Sequence, residues 1–272
     1  MISQNLHMHS TWDDGKNSIE EMILASKEAG LTSVGISLHG PMPFETSWGC
    51  PAEKVPAYIA EVRALQEKYA GVMDVYLGIE WDATAADVDL TPYDYVIGSV
   101  HELPVPDGGT RSVDSSPEIT QAYITECFGG DADAAAEAYF AELAKVAARP
   151  EVRIVGHLDL ITKFDEIGHF YNPETPRYRK AALAAMEKLI AAGKIFEVNT
   201  GAISRGYRTT PYPSMELLTK LHEMGAKVTV SADAHHVSGV TCAFDIAEER
   251  VKAAGFEEIW VLKGKEFVPV KI

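Results

Sequence analysis

The chain has 272 residues, of which 46% are hydrophobic and 24% charged, so it has the composition of a globular protein that can bury one large core. Its formal net charge of -16 argues against nucleic acid or an anionic membrane as a partner, although a small phosphorylated substrate needs only a local cluster of cations. The three cysteines are widely spaced, which argues against a disulfide framework and a thiolate zinc site. No apolar run approaches the ~20 residues of a membrane span, and the N-terminus lacks the basic-then-apolar pattern of a signal peptide. A reducing cytoplasm is therefore the expected location.

Apolar strands alternate with amphipathic helices along the chain. The capping box Ser18-Ile19-Glu20-Glu21 marks one helix start, and glycines mark several helix ends. In chain order the pattern predicts strand 5–10, helix 18–30, strand 33–38, helix 52–70, strand 75–79, strand 94–100, a long loop 102–131 with a short helix at 117–128, helix 132–148, strand 153–156, helix 176–192, strand 195–198, helix 214–225, strand 227–231, helix 243–254 and a terminal hairpin around Gly264.

Strands separated by helices indicate βαβ units and a parallel sheet. Seven such strands in a chain of this length predict one α/β domain over residues 1–272, a closed or nearly closed (β/α)7 barrel. A doubly wound open sheet is the alternative. Its dinucleotide-binding version has no support, because no Gly-x-Gly-x-x-Gly turn follows the first strand.

Histidines and carboxylates are concentrated at the ends of the predicted strands, which in a parallel barrel all face one opening. His7 and His9 lie two residues apart, so a strand would point both imidazoles the same way. Read singly, each residue could be a satisfied loop or core side chain, or an acid at a helix start. The strand-end residues, in chain order, are His7, His9, Asp13, Asp14, His39, Glu80, Asp82, His101, Glu102, His157, Asp159, Asn199, Asp233 and His235.

Together these side chains predict a metal centre, because so many imidazoles and carboxylates in one opening would be hard to stabilise without cations. Nitrogen and oxygen ligands suit zinc, iron or manganese. The ligands exceed the three or four that one catalytic zinc uses, so two or three ions are expected. Glu80, on a central strand, is the candidate for a carboxylate that bridges two ions, and such pairs are typical of phosphoryl-transfer enzymes.

Several segments resemble the PHP (polymerase and histidinol phosphatase) family over nearly the whole chain and in the same order. The segments are His-Met-His-Ser at 7–10, Gly-Ile-Glu-Trp at 78–81, Gly-Ser-Val-His at 98–101, Gly-His-Leu-Asp-Leu at 156–160 and Ser-Ala-Asp-Ala-His at 231–235. The chain length, the His-Leu-Asp-Leu-Ile segment and Glu-Val-Asn-Thr at 197–200 are most similar to histidinol-phosphate phosphatases.

The resemblance implies a distorted (β/α)7 barrel with a trinuclear site, in which a metal-bridging hydroxide attacks the phosphorus of L-histidinol phosphate. One metal would take His7, His9, Glu80 and Asp233; a second Glu80, His101 and His157; and a third Asp14, His39 and His235. His7, His9, Glu80, Asp233 and His235 are the predicted catalytic residues.

The chain departs from the family pattern at two places. Gly15 occupies the position where many members have a histidine ligand, so Asp14 or Asp13 is expected to serve the third metal instead. The segment after the sixth strand reads Asn-Thr-Gly-Ala at 199–202 rather than Asn-Thr-Ser-Gly, which bears on the choice of substrate.

Phosphate binding also calls for cations near the opening. Arg205 is the first candidate, because arginine binds phosphate through its planar guanidinium, and Arg208 and Lys163 follow; the alternative for each is a solvated surface charge. His236 is expected near the site without binding metal, His222 on a solvated helix face, and Asp82 beside the ligands.

Three functions follow from these observations. The first is a phosphomonoesterase for L-histidinol phosphate. The second is a phosphodiesterase or nucleotide phosphatase of the same family, and the third is a metal-binding module without activity. The sequence does not indicate the oligomeric state, the metal or a general acid.

Overall fold

The computed structural model describes residues 2–85, 87–105 and 108–272. Pro106, in the predicted loop, lies outside them. The strands in chain order are β1 Gln4–Asn5, β2 Ser33–His39, β3 Asp74–Asp82, β4 Tyr95–Ser99, β5 Glu102–Pro104, β6 Thr110–Ser112, β7 Ile154–Val155, β8 Ile195–Asn199, β9 Lys227–Ser231, β10 Glu258–Lys263 and β11 Glu266–Lys271.

Seven of these strands form one parallel sheet in the order β1-β2-β3-β4-β7-β8-β9. The first and last strands then meet just beyond their ends, where Met8 and Ala234 form a parallel bridge. The His9 N–H donates to the Ala234 carbonyl at 2.9 Å, and the Ala234 N–H donates to the His7 carbonyl at 3.2 Å. The predicted distorted barrel is therefore confirmed, and the open doubly wound sheet is wrong.

Helices cover the outside of the barrel, as the alternating pattern predicts. Ser18 and Glu21 form the predicted capping box at the first of them, and no helix in the described ranges is long and apolar enough to cross a membrane. The helices are α1 Ile19–Glu28, α2 Val55–Tyr69, α3 Pro117–Ala122, α4 Ala132–Leu143, α5 Asp165–Gly168, α6 Pro176–Ala191, α7 Gly201–Ser204, α8 Met215–Glu223 and α9 Phe244–Ala253.

The predicted loop at 102–131 is the main difference from the sequence-based expectation. Strands β5 and β6 pair antiparallel there and form a small hairpin beside the barrel opening. The predicted helix at 117–128 is α3 followed by a π-helical turn, Tyr123–Cys127. These strands have only three residues each, which is too short for a period-2 pattern to stand out from a loop rich in proline and glycine.

The lower end of the barrel, where the strands begin, is filled by apolar side chains. Tyr95 crosses the interior, and a Cβ at Gly35 or Gly78 would lie 2.2 Å from its ring or hydroxyl, so these glycines make room for the tyrosine. The C-terminal hairpin β10–β11 packs below it. The cluster there comprises Leu6, Tyr76, Tyr95, Ile97, Ile154, Ile195, Leu262 and Phe267.

Candidate metal centre

The upper end of the barrel carries the predicted ligands. His7 and His9 follow β1, His39 ends β2, His101 follows β4 and His157 follows β7. Asp233 and His235 follow β9, and Asp233 has a positive φ of 47°. Glu80 lies inside β3, which is longer than predicted and ends at Asp82. The side chains of His7 and His9 are adjacent, with ring centroids 5.2 Å apart, as their two-residue spacing predicts.

Glu80 lies at the centre of the cluster. Its Oε2 is 3.1 Å from His7 Nε2 and 3.0 Å from His39 Nδ1. Its Oε1 is 3.0 Å from His157 Nε2 and 3.5 Å from His101 Nε2, and it also accepts a 2.6 Å hydrogen bond from Ser99. A carboxylate whose two oxygens face imidazoles on different sides has the arrangement that a bridging ligand needs.

Among the described residues, three groups of ligand atoms each lie within 4.8 Å of one another. One group contains the first predicted ligand set without Glu80, and another contains the third predicted set with His9 added. The remaining group has His39 where the resemblance implies His157, so the geometry leaves His39 between two positions. The groups are His7, His9 and Asp233; His39, Glu80 and His101; and His9, Asp14, His39 and His235.

Asp13 and Asp14 have different surroundings, which bears on the alternative that the sequence left open. The Asp14 carboxylate faces the cluster, with Oδ1 3.2 Å from His235 Nε2 and 3.8 Å from His39 Nε2. Asp13 instead accepts hydrogen bonds from His9 Nδ1 at 2.8 Å and from the His39 N–H at 2.9 Å. Asp14 is therefore the one of the two that is placed to bind an ion.

The cluster contains buried polar atoms that form no hydrogen bond of acceptable geometry with any described residue, although some of them lie 3.0–3.2 Å from a neighbouring nitrogen or oxygen. Such atoms are rare in folded proteins, because burying a polar group without a partner is unfavourable. Here they converge on one small volume, and all are nitrogen or oxygen donors that divalent transition metals prefer, so the residues fit a metal centre. They are His7 Nε2, His9 Nε2, His39 Nδ1, Glu80 Oε2 and Asp14 Oδ1.

The charges of the cluster also fit a metal centre. Burial opposes ionisation of Glu80 and Asp233, yet both carboxyls have a pKa well below the usual range. Neighbouring imidazoles lower the pKa of Glu80, and Arg205 together with imidazoles lowers that of Asp233. Burial also lowers the pKa of His9, but Asp13 and Asp233 outweigh it and raise that pKa to about 10. The pKa of His101 is raised to about 9, as Glu80 and Asp82 outweigh burial. The carboxylates thus favour positive charge at the positions that metal ions would take.

A second layer of carboxylates holds the imidazoles. The predicted neighbour Asp82 accepts from the His101 N–H at 2.6 Å and lies 3.2 Å from its Nδ1. Glu197, to which the sequence analysis gave no role, is fully buried on β8 and lies 2.7 Å from His7 Nδ1. The sequence does contain a pattern that indicates this position. Glu197 and Asn199 alternate with apolar residues on β8, so their side chains lie on the same face of the strand.

An open cavity of about 620 Å³ lies above the cluster. Its walls include Arg205 and Lys163, two of the three predicted phosphate-binding residues, and the segment Phe44–Trp48, to which the sequence analysis assigned nothing. Arg205 donates to the Asp233 carboxylate at 3.1 Å and contacts His235 Nδ1 at 2.9 Å. The Lys163 ammonium donates to the Asp114 carboxylate at 2.9 Å.

Arg208 is not among the residues that line this cavity. Its guanidinium donates to Thr162 and Thr210, and it lies over the Tyr212 ring at 4.6 Å, so it holds loops together. Of the histidines set aside, His236 lies at the cavity wall and contacts the Ser238 hydroxyl at 2.8 Å. His222 is exposed on α8, as predicted.

Comparisons with known proteins agree with this geometry. The PHP domain family matches residues 5–201. A Deinococcus radiodurans protein named "Probable histidinol-phosphatase" is 32% identical over 247 residues, which cover 86% of each chain. A Schizosaccharomyces pombe protein of the same name is 27% identical, over 76% of this chain and 68% of the other.

A solved structure has a similar fold. The histidinol phosphate phosphatase of Lactococcus lactis, solved with zinc, L-histidinol and phosphate, has a TM-score of 0.71 at 20% identity, over 98% of each chain. Because the family match covers most of the sequence and includes the strand ends that carry the predicted ligands up to His157, this chain belongs to the PHP domain family.

Proposed function

We propose that this protein is a metal-dependent phosphomonoesterase that hydrolyses L-histidinol phosphate to L-histidinol and phosphate. One observation carries the proposal: unpartnered imidazole and carboxylate atoms converge around Glu80 at the floor of an open cavity whose wall holds Arg205. Relatives named as histidinol-phosphatases support the substrate, and one of them was solved with L-histidinol and phosphate.

The ligands we propose are the nine residues of the sequence analysis, with Glu80 shared between two ions. Zinc is favoured by the Lactococcus lactis structure, and the same donors also suit iron or manganese. Divalent ions bound there lower the pKa of water and neutralise phosphate oxygens. The proposed ligands are His7, His9, Asp14, His39, Glu80, His101, His157, Asp233 and His235.

Arg205 is the residue we propose for phosphate orientation. Its contacts with Asp233 and His235 hold the guanidinium beside the cluster, and one N–H of Nη2 has no partner in the described part of the chain. A fixed guanidinium that keeps a free donor can bind a phosphate oxygen without first losing side-chain freedom. Lys163 is a second cation on the same wall, held by Asp114.

The cavity also suits the rest of the proposed substrate. Its volume of about 620 Å³ is within the usual range for small-molecule sites. Glu45, Glu102 and Asp114 line it, so a leaving group that carries an ammonium would meet carboxylates there. This pairing explains how a protein with a net charge of -16 accepts a phosphate ester.

Phosphate release from L-histidinol phosphate tests the proposal. Chelation should abolish release and added metal should restore it, because the nucleophile depends on the ions. His9→Ala and Asp233→Ala should release no phosphate even when metal is added. The exposed residues His222 and Asp89 provide matched controls, and His222→Ala and Asp89→Ala should retain activity.

A panel of phosphate esters separates the substrate from the chemistry. If the metal-loaded protein releases no phosphate from L-histidinol phosphate but hydrolyses a nucleotide or a phosphodiester, the substrate assignment is wrong and the phosphoesterase assignment stands. If it hydrolyses none of them, both are wrong.

A further inference from the structure

We infer that Glu197 is a positioning residue that fixes two of the proposed ligands, His7 and His157, together. The inference rests on the proposed metal centre, although its test does not depend on the identity of the substrate. Glu197 lies on β8, and its carboxylate extends into the barrel interior below the cluster.

The two oxygens of Glu197 have different partners. Oε1 lies 2.7 Å from His7 Nδ1, on the first strand of the barrel. Oε2 accepts from the main-chain N–H of His157 at 3.0 Å and from the Asn199 side chain at 2.9 Å. One carboxylate therefore holds the ring of one proposed ligand and the backbone of another.

The contact with Nδ1 sets the direction of the His7 ring. Because Nδ1 is bonded to a carboxylate, Nε2 is the ring nitrogen whose lone pair would bind a metal once Nε2 has lost its proton. Nε2 is also the atom that faces Glu80. The bond to the His157 backbone fixes the point from which that side chain reaches the other Glu80 oxygen, at 3.0 Å. Glu197 thus positions ligands on both sides of Glu80.

The burial of Glu197 means that loss of its carboxylate should have a large effect. Glu197 has no solvent exposure, so no water can replace a lost acceptor at low energy. Asp82 differs, because among the proposed ligands it contacts only His101, through both the ring and the main-chain N–H. It therefore provides a carboxylate of the same layer that supports a single ligand.

A cobalt titration of the metal-stripped full-length protein tests the inference. Visible absorption of bound cobalt reports the ligand environment of each equivalent. Glu197→Met removes both acceptors at similar volume and should weaken two equivalents by about 10–100-fold. Asp82→Leu should weaken one. Glu142→Gln changes a buried glutamate that pairs with Lys145 away from the cluster, and should weaken none.

The inference is overturned if Glu197→Met weakens no more equivalents than Asp82→Leu does. Circular dichroism establishes that each variant is folded. If Glu197→Met does not fold, Glu197→Gln tests the same point, because one amide oxygen cannot serve both partners; normal affinity of all equivalents in that variant contradicts the inference. A wild-type protein that binds no cobalt overturns the metal centre as well, whereas normal cobalt binding without hydrolysis of L-histidinol phosphate overturns only the proposed substrate.

Discussion

The upper and lower ends of the barrel interior are lined by the same strands and have opposite chemistry. At the lower end the polar groups are matched: the Tyr95 hydroxyl donates to the Leu6 carbonyl at 2.5 Å. The Gln4 amide donates to the Leu262 carbonyl and accepts from its N–H, both at 2.8 Å. At the upper end, Glu80 and several imidazoles keep buried atoms without hydrogen-bond partners in the part of the chain that the structure describes.

The difference indicates that the two ends of the same strands have separate roles. Apolar packing and satisfied hydrogen bonds at the lower end stabilise the fold and are independent of any ligand. The upper end concentrates carboxylates whose burial is favourable only when cations lie beside them. Groups that are unfavourable for folding by themselves are often found at functional sites. Substitutions at the two ends should therefore change different measurements, and the following predictions test that separation.

The largest effect is expected at Glu80. Glu80→Gln keeps the side-chain volume but removes the charge that faces five imidazoles, so bound ions would lose the shared ligand that we propose. Metal-ion catalysis supplies several kcal/mol, and the rate of phosphate release should fall on the order of 10³-fold. Steady-state kinetics on metal-loaded protein measure it, with Glu142→Gln as control. A variant that keeps a tenth of the activity would contradict the role of Glu80.

Tyr95 should affect stability instead. Tyr95→Ala leaves a cavity where the ring crosses the barrel, and should lower the free energy of unfolding by about 3–5 kcal/mol. Urea unfolding measures this loss, and metal content per folded molecule should stay at the wild-type value. Tyr93→Ala, at a half-buried tyrosine nearby, is the control with a smaller effect. If Tyr95→Ala strips the metal while stability is kept, the two ends are not separate.

Proton competition gives a smaller effect at the upper end. In the metal-free protein the pKa values of His9 and His101 are about 10 and 9, above 6.5 for unfolded histidine. Their protonation therefore stabilises that form fully below pH 6.5, and the stabilisation is lost as the pH rises through 9 and 10. Metal ions must displace these protons, so affinity should rise about tenfold per pH unit for each proton released.

Chelator-buffered titrations between pH 7 and 9 measure this change in affinity. Urea unfolding of the metal-free protein should show lower stability at pH 10 than at pH 7. Metal affinity that is constant across the range would show that these imidazoles carry no protons in the metal-free protein.

The smallest effect is expected for Tyr95→Phe. This change removes the hydroxyl and leaves the buried Leu6 carbonyl without that donor, at a cost of about 1 kcal/mol of stability. Urea unfolding detects it, and phosphate release should be unchanged. An equal loss in Tyr95→Phe and Tyr95→Ala would mean that the hydrogen bond, rather than the ring, supports the lower end.

The barrel was predictable because its strands are long enough or apolar enough to carry a pattern. β9 begins and ends where the sequence indicates, and Ser18 begins its helix. β1 has only two residues, and the chain beyond it joins the sheet through a bridge between Met8 and Ala234 and through hydrogen bonds between Met8 and Ser37, which no local pattern indicates. The hairpin β5–β6 is not indicated by the sequence because each of its strands has only three residues.

The cluster was predictable because strand-end position and side-chain type together define it. What the sequence could not give is the pairing between distant segments. Lys163 meets Asp114 across 49 residues, and Glu197 meets His7 across 190. Arg208 has the right type and position for a phosphate ligand, but it does not line the cavity. Its guanidinium donates to Thr162, which only the folded chain brings near.

The bridge between Met8 and Ala234 joins the two ends of the barrel sheet just beyond β1 and β9, and each bridge residue has a proposed ligand on either side of it in the sequence. An ion held by His7 and Asp233 would cross-link segments that lie near opposite ends of the chain, closing a loop of almost the whole sequence. By mass action such a cross-link adds its binding free energy to that of folding. Amide exchange at His9 and Ala234 would then report metal occupancy, since the hydrogen bonds of these N–H groups join the two segments that a bound ion would cross-link.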